Sequence, residues 1–368
     1  MLQATYPGVS IRKGSYIASQ KKSFDFSTLF LGFYDDEEYF AQLNNFNDAK
    51  QDNFLKLHPE YFRAVKNYFE NGGVLLYILN FPLHDRIDVL SVSKFMKDKC
   101  DNLNDLEVIC TLGLIERSKA EQKITQDEAV KVIHAVNIYA HQTDRISITD
   151  INNIIKNKYL DRLGESVVYY PWFVDKLNNL VAPSVVSAAL MSKLAYQGAF
   201  FNSIANKSIS NLHKLSDDLS TQENIKLYED GINPITLINK QGLKIWGVKA
   251  FNSKYESVNE MRVLKYIKRQ LKRLSREYVF ETNTDELNGR LYIDVSQFLF
   301  SLWEIGALSG NSKQEAFSVS SDVSNLDNKR SQLTFRISVA ISKPLEFIVI
   351  TLNRIDYDGA QESLSVES

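Results

Sequence analysis

The sequence predicts an α/β fold of mixed α+β type, in which mixed sheets are flanked by helices. Over residues 1–200, short apolar runs of strand length alternate with amphipathic helical segments, as in sheets that are covered by helices. The last third instead contains two long helical segments followed by strand-like runs.

The first strand-helix-strand unit lies between residues 27 and 82. STLFLGFY predicts a buried strand, and GVLLYILNF predicts a second. Between them, Tyr61, Val65 and Phe69 share one face of a predicted helix that ends at Asn71-Gly72-Gly73. The following polar stretch, DRIDVLSVSKFMKDKCDNLND, is predicted to be a linker to a third strand, LEVICTLGLI.

The middle of the chain continues the alternation. TQDEAVKVIHAVNIYAHQTD predicts an amphipathic helix, RISITDIN and SVVYYPWFVDKL predict strands, and APSVVSAALMSKLAYQGAFF predicts a helix of small residues capped near Ser184. Residues 202–230 are polar and are predicted to be a loop. GINPITLINKQGLKIWGVKAF predicts a hairpin with its turn at 239–242.

Two helices, at about 257–280 and 285–307, precede the C-terminal strands. LTFRISVAI and LEFIVITLNRI are predicted to bracket a turn at 342–344. The polar tail YDGAQESLSVES is predicted to be mobile at its end.

Composition argues against several functional classes. The chain has 368 residues, of which 44% are apolar, and a net charge of −2, whereas a chain devoted to nucleic acid is usually strongly basic. No apolar run approaches the roughly 20 residues of a membrane span. The N-terminus lacks the layout of a signal peptide, so we expect assembly in a cytoplasm.

Motifs for catalysis are absent from the sequence. There is no GxGxxG, GxxxxGK[ST], HExxH or GxSxG pattern, and the five histidines lack metal-ligand spacing. Cys110 lies in an apolar run and is predicted to be a small buried hydrophobe. We therefore expect a protein that is not an enzyme, with no cofactor, no metal and no small-molecule substrate.

One predicted helix, within residues 257–280, is strongly basic. Its basic residues recur every three or four positions and form one face, roughly opposite an apolar face. Residues 258–280 hold seven basic and two acidic side chains, a local charge of +5. The pattern is typical either of a solvated surface or of a face that binds an acidic partner.

The C-terminal third resembles contractile tail sheath proteins of myophages, phage-like bacteriocins and extracellular contractile injection systems. The family pattern runs FE-x-N, LW-x-x-GAL-x-G, EAF, an Asp, a Pro and EFI. The matching residues are Phe280, Glu281, Asn283, Leu302, Trp303, Gly306, Ala307, Leu308, Gly310, Glu315, Ala316, Phe317, Asp322, Pro344, Glu346, Phe347 and Ile348.

Shorter pieces extend the resemblance through the chain in the same order. YPGV at 6–9, YYPWF at 169–173, APSVVSAAL at 182–190, and Gly231-Ile232-Asn233 with Trp246-Gly247 are similar to family segments. The glycines and one proline of the family's PPSG-x-x-AG segment are missing, and Val-Lys-Ala-Phe stands in place of Ala-Arg-Thr-Leu after Trp246-Gly247.

The resemblance implies a two-domain sheath subunit with extended N- and C-terminal strand arms. It implies an N-terminal linking arm at 1–20, an outer α/β domain at 21–246, a tube-facing C-terminal domain at 247–355 and a C-terminal arm or tail at 356–368. Such subunits form stacked hexameric rings around an inner tube and contract to drive the tube through an envelope. The implied partners are copies of the chain, the inner tube protein, and baseplate and tail-terminator or cap proteins. No membrane insertion and no direct nucleic acid contact are expected, and the chain would belong to a phage tail or a released tail-like particle.

Two groups of site residues follow from the resemblance. The arms would add strands to the sheets of neighbouring subunits, and the basic helix would face an acidic tube. The arm residues are Tyr6, Pro7, Gly8, Val9, Ile11, Phe347, Val349 and Thr351. The tube-facing residues are Lys265, Lys268, Arg269, Lys272, Arg273 and Arg276.

Three alternatives remain open at this stage. The chain could be a minor sheath paralogue near the baseplate, a nucleic-acid-binding protein that uses the basic helix, or an enzyme whose site lies in the diverged middle of the chain.

Overall fold

A mixed eight-stranded sheet forms the centre of the protein in its computed structural model. The structure describes residues 25–34, 36–82, 87–114, 124–152, 159–282, 284–321, 335–344, 349–355 and 361–367. The eight strands of this sheet are β1 Ser27–Gly32, β2 Tyr39–Leu43, β3 Leu76–Asn80, β4 Leu106–Cys110, β5 Ile146–Asp150, β6 Val167–Tyr170, β10 Asn233–Ile238 and β11 Gly242–Ile245. The short strands β7 Phe173–Val174, β8 Leu180–Val181 and β9 Lys214–Leu215 form a separate three-stranded sheet.

The central sheet has the strand order β11-β10-β6-β5-β4-β1-β3-β2. Its six inner strands are all parallel, and the two edge strands, β2 and β11, are antiparallel to their neighbours. The strands β1, β3, β4 and β5 are buried throughout, which explains why they appear in the sequence as continuous apolar runs. The α/β prediction is therefore confirmed.

Helices cover both faces of this sheet and also form most of the C-terminal region. They are α1 Phe46–Gln51, α2 Asn53–Leu57, α3 Pro59–Glu70, α4 Val89–Cys100, α5 Gln126–Gln142, α6 Pro183–Tyr196, α7 Thr221–Glu229, α8 Val258–Arg276, α9 Asp285–Glu304 and α10 Lys313–Ala316. Apolar residues of α3 and α6 pack on one face of the sheet, and those of α4 and α5 pack on the other.

Two helices lie where the sequence predicted none. The predicted linker contains α4, which begins at the N-cap Asp88 and buries Val92, Met96 and Cys100 at a spacing of four residues. The predicted loop 202–230 contains α7, whose N-terminus is a capping box of Ser220 and Glu223. Both predictions, of a linker and of a loop, were wrong because they relied on the polar composition of these segments and overlooked a short helical period.

The C-terminal region has its own apolar cluster, built from α8, α9, α10 and the strands β12 Phe317–Ser321 and β13 Phe335–Val339. The last strands are β14 Val349–Ile355 and β15 Gln361–Glu367. The two strands predicted to bracket a turn at 342–344 do not pair with each other among the described residues, since β12 pairs with β13 and β14 pairs with β15. After β13 the backbone instead bonds to the α9–α10 connection: the Ser309 N–H donates to the Ala340 carbonyl at 2.8 Å.

The polar tail also differs from the prediction, since residues 361–367 form β15. Its sequence alternates apolar and polar residues around Leu364 and Val366, which is a strand pattern. Among the described residues, the helices lack the combination of length and apolar character that a membrane span requires.

Candidate functional site

The basic helix predicted from the sequence is α8. Its N-terminus is capped by Ser257, whose hydroxyl accepts the backbone N–H of Glu260 at 3.2 Å. On its apolar face, Val263 and Ile267 are buried, and Leu271 and Leu274 are partly buried against α9 and the C-terminal cluster. The predicted apolar face is therefore confirmed.

The basic face of α8 lies against the amino-terminal edge of the central sheet. Four adjacent parallel strands, β6, β5, β4 and β1, each place one carboxylate at or just before their amino ends. We call Glu165, Asp144, Glu107 and Asp25 the amino-edge carboxylates. Each of them forms an ion pair with α8.

Arg262 makes the most buried of these contacts. Its guanidinium donates two hydrogen bonds to Glu107, from Nε to Oε1 at 2.6 Å and from Nη2 to Oε2 at 2.8 Å. Nη2 also donates to the carbonyl of Met191 at 2.9 Å. Both side chains are almost fully buried, 2% and 1% exposed. Planar, paired hydrogen bonds of this kind fix the position of α8 on β4.

Lys265 is also buried, at 3% exposure, and faces the protein's own sheet. Its Nζ donates to Glu165 at 2.7 Å and to the carbonyl of Arg145 at 2.9 Å. Burial lowers the pKa of Lys265, although its contact with Glu165 opposes this. Burial raises the pKa of Glu165, but hydrogen bonds from Lys265 and His141 outweigh it and hold that pKa at about 2.

The C-terminal half of α8 contacts Asp144 and Asp25. Lys272 and, at 3.6 Å, Lys268 pair with the carboxylate of Asp144. Arg269 donates to the backbone carbonyl of the same residue at 2.6 Å. The Arg273 guanidinium lies 3.2 Å from Asp25.

The residues predicted to face a tube are therefore not equally available. Lys265 is buried and Arg269 is partly buried, whereas Lys268, Lys272 and Arg273 are paired but 42%, 60% and 47% exposed. Arg276 is exposed and, within the described part of the chain, lies in no ion pair. A role facing a tube thus stays a prediction for the exposed end of α8.

The predicted arm residues are mostly outside the described residues. This applies to Tyr6, Pro7, Gly8, Val9 and Ile11, and also to Phe347. Val349 and Thr351 lie in β14, opposite Glu367 and Ser365 of β15.

The carboxyl-terminal edge of the sheet holds one buried carboxylate, Asp150, at the end of β5. It accepts hydrogen bonds from the backbone N–H of Ser184 at 2.7 Å, from the Ser184 hydroxyl at 2.6 Å and from the N–H of Gly113 at 3.1 Å. Asp150 thus caps α6, a function predicted for Ser184. Burial raises the pKa of Asp150 to about 6 despite these donors.

The described residues include a small cavity that Arg262 lines in part. This cavity of about 10 Å³ lies between Tyr169, Met191, Val258 and Arg262, enough for about one water molecule. No group of three or more His, Cys, Asp or Glu among the described residues could hold a metal ion. Cys110 is buried, as predicted, and burial raises its pKa.

Comparison with known proteins finds a family model that matches the C-terminal part of the chain. Residues 251–354 match the phage tail sheath C-terminal domain. No curated protein matches the chain significantly by sequence.

Solved structures match almost the whole chain. A chain of the anti-feeding prophage helical sheath in its contracted state has a TM-score of 0.76 and 19% identity, covering 95% of this chain and 99% of its own. A chain of the anti-feeding prophage baseplate has a TM-score of 0.75 and 19% identity, over 96% and 99%. The contracted sheath of PVC, an extracellular contractile injection system, has a TM-score of 0.71 and 18% identity, over 97% and 99%. At these identities the likeness shows a shared fold.

Proposed function

We propose that this chain belongs to the contractile tail sheath family and is a structural subunit of a contractile sheath. Subunits would stack as hexameric rings around an inner tube and contract to drive the tube through a target envelope. The observation that carries the proposal is the match of residues 251–354 to the sheath C-terminal domain within a chain of sheath fold throughout. The work of contraction would come from subunit packing, so we assign no catalytic step.

The apolar clusters support a proposed division of the chain into two domains, although some members of the first and third clusters lie across the boundary. We propose an outer α/β domain over 21–246, which holds the central sheet, and a tube-facing domain over 247–355, which holds the C-terminal cluster. Residues 1–20 and 356–368 would be arms. Helix α8 would join the two domains, since its apolar face packs in one and its basic face in the other.

The tube contact is proposed for the exposed end of α8, at Lys272, Arg273 and Arg276, with Lys268 at its margin. Exposed ion pairs contribute about 0.2–1 kcal/mol each, so several of them would hold a tube and still separate on contraction. Lys265 would instead help to hold the two domains together, because its ammonium group forms a buried ion pair with Glu165.

The arms are proposed to link neighbouring subunits by strand addition. Backbone hydrogen bonds would supply the affinity and would keep subunits connected while their bodies rotate. Removal of residues 1–15 is expected to leave a folded monomer that does not polymerise. Normal sheaths from this truncated chain would contradict the arm proposal.

Electron microscopy of the chain, expressed with its tube protein, tests the main proposal. We expect rods or stacked rings. A double charge reversal, Lys272→Glu with Arg276→Glu, is expected to lower the yield of sheathed tubes and to alter its dependence on salt. Lys226→Glu, an exposed change on α7, is the matched control. Equal yields for both variants would refute the tube contact, and a uniformly monomeric protein would refute the sheath subunit.

A second candidate, a minor sheath paralogue beside the baseplate, is favoured by the similarity to a baseplate chain of the anti-feeding prophage. Its signature would be a location restricted to one end of the particle. In either case the chain would be part of a phage tail or of a tail-like particle, with assembly in a bacterial cytoplasm. Baseplate and tail-terminator or cap proteins would be its further partners.

A further inference from the structure

The first described residues of the chain lie on α8. The ring of Phe26 stacks on Tyr266, with centroids 4.9 Å apart and planes inclined by 23°. The ring of Phe26 also contacts the ring of Phe200, with centroids 4.8 Å apart, and the Arg262 guanidinium lies 5.6 Å from the centroid of the Phe26 ring. The loop after α6 and one turn of α8 together therefore hold the Phe26 ring in place.

The preceding residue is attached to the same helix by charge. Asp25 lies 3.2 Å from the Arg273 guanidinium and accepts a hydrogen bond from the Gln270 amide at 3.3 Å. One residue after Phe26, the backbone N–H of Ser27 already bonds to the Asp105 carbonyl at 2.9 Å, where β1 begins. Residues 25 and 26 thus lie between the sheet and α8.

We propose that Asp25 and Phe26 are an anchor that transmits tension from the N-terminal segment to α8. Asp25 and Phe26 are the first described residues, so a pull from the N-terminal side of the chain would reach them before β1. A pull on that segment would load the Asp25–Arg273 ion pair and the Phe26 contacts before it loads the ladder between β1 and its neighbours. The joint between the two domains would therefore bear the force, and the centre of the sheet would be protected.

The anchor gives the proposed arm a defined attachment, and in that respect it rests on the proposed function. The anchor also accounts for the environment of Arg273, which is exposed and yet paired. One side of this guanidinium contacts Asp25, while nearly half of its side chain stays accessible to solvent.

Hydrogen exchange of the full-length monomer tests the anchor without any sheath. Phe26→Ala and Arg273→Gln are compared with Phe46→Ala, which removes another partly buried ring, one on α1 that contacts Phe62 of α3 at 5.3 Å. Arg273→Gln changes an exposed side chain and should not prevent folding. We expect at least ~10-fold faster amide exchange around Tyr266–Arg273 and Phe200 in the first two variants and no change there in the control. Unchanged exchange in α8, or the same change in all three, would overturn the anchor.

Particles assembled with the tube test the transmission of force. Sheaths of the Phe26→Ala chain are expected to assemble and then to break several-fold more often on triggered contraction, as counted by electron microscopy, than sheaths of the Phe46→Ala control. If Phe26→Ala sheaths contract intact at the wild-type frequency, the anchor is refuted while the sheath function stands. If the wild-type chain forms no sheath, the sheath function fails and with it the mechanical role of the anchor.

Discussion

The two edges of the central sheet hold carboxylates by opposite means. At the amino edge, Glu107 and Glu165 meet cationic side chains of α8, whereas at the carboxyl edge Asp150 meets only neutral donors. The pKa shifts follow this difference, since that of Glu165 is lowered to about 2 and that of Asp150 is raised to about 6. A full opposite charge therefore favours the ionised form of a buried carboxyl group more strongly than neutral donors do.

The largest expected effect comes from removing the cation at the amino edge. Arg262→Met leaves Glu107 buried without its partner, which is expected to lower the free energy of unfolding by about 3–5 kcal/mol. Urea unfolding of the full chain measures this. Arg63→Met, which breaks the exposed Arg63–Glu60 pair, is the control and should change stability by less than about 0.5 kcal/mol.

A second variant shows whether charge or packing causes the loss. In the double variant Arg262→Met with Glu107→Leu, no buried charge is left unpaired, so most of the lost stability should return. If the double variant is as unstable as Arg262→Met alone, shape rather than charge holds α8 on the sheet.

The amino edge also marks the limit of what sequence could predict. The helical period of α8 and its two faces were visible, because they repeat within one segment. The partner of the basic face was not, since Arg262 and Glu107 are 155 residues apart and no local spacing relates them. The only available signal was a carboxylate near the start of several predicted strands. The edge strand β2 was likewise not predicted from the sequence, where Asp36, Glu37 and Glu38 directly precede it, and its partner β3 lies more than 30 residues further along the chain.

The next effect is a pH dependence at the carboxyl edge. The folded-state pKa of Asp150, about 6, lies above its ordinary value of 3.8, so the folded protein binds more protons between these values. Stability should accordingly fall as pH rises from about 4 to 6, by roughly 2–3 kcal/mol. Asp150→Asn is expected to abolish this fall in urea titrations at several pH values. A slope that persists in the variant would assign it to another group.

Glu165 should produce the opposite slope. Its folded-state pKa of about 2 lies below the ordinary 4.5, so its contribution is complete above pH 4.5 and is lost as pH falls towards 2. Glu165→Gln should remove this acid sensitivity and lower stability at neutral pH by about 1–2 kcal/mol, a value reduced because solvent partly screens the site. Acid unfolding that is identical in the variant and the wild type would show that Lys265 does not depend on this carboxylate.

The smallest effect on stability is expected where α8 leaves the sheet. Arg276 is exposed and, among the described residues, lies in no ion pair, so Arg276→Gln should change the free energy of unfolding by less than about 0.5 kcal/mol. The same variant should nevertheless reduce the yield of sheathed tubes, because an exposed charge outside the ion pairs of the described residues is available to an external partner. Thermal unfolding and electron microscopy on one preparation measure both quantities. A variant that loses stability but assembles normally would move Arg276 to the structural part of the helix, beside Arg262 and Lys265, and would leave Lys272 and Arg273 as the proposed tube contact.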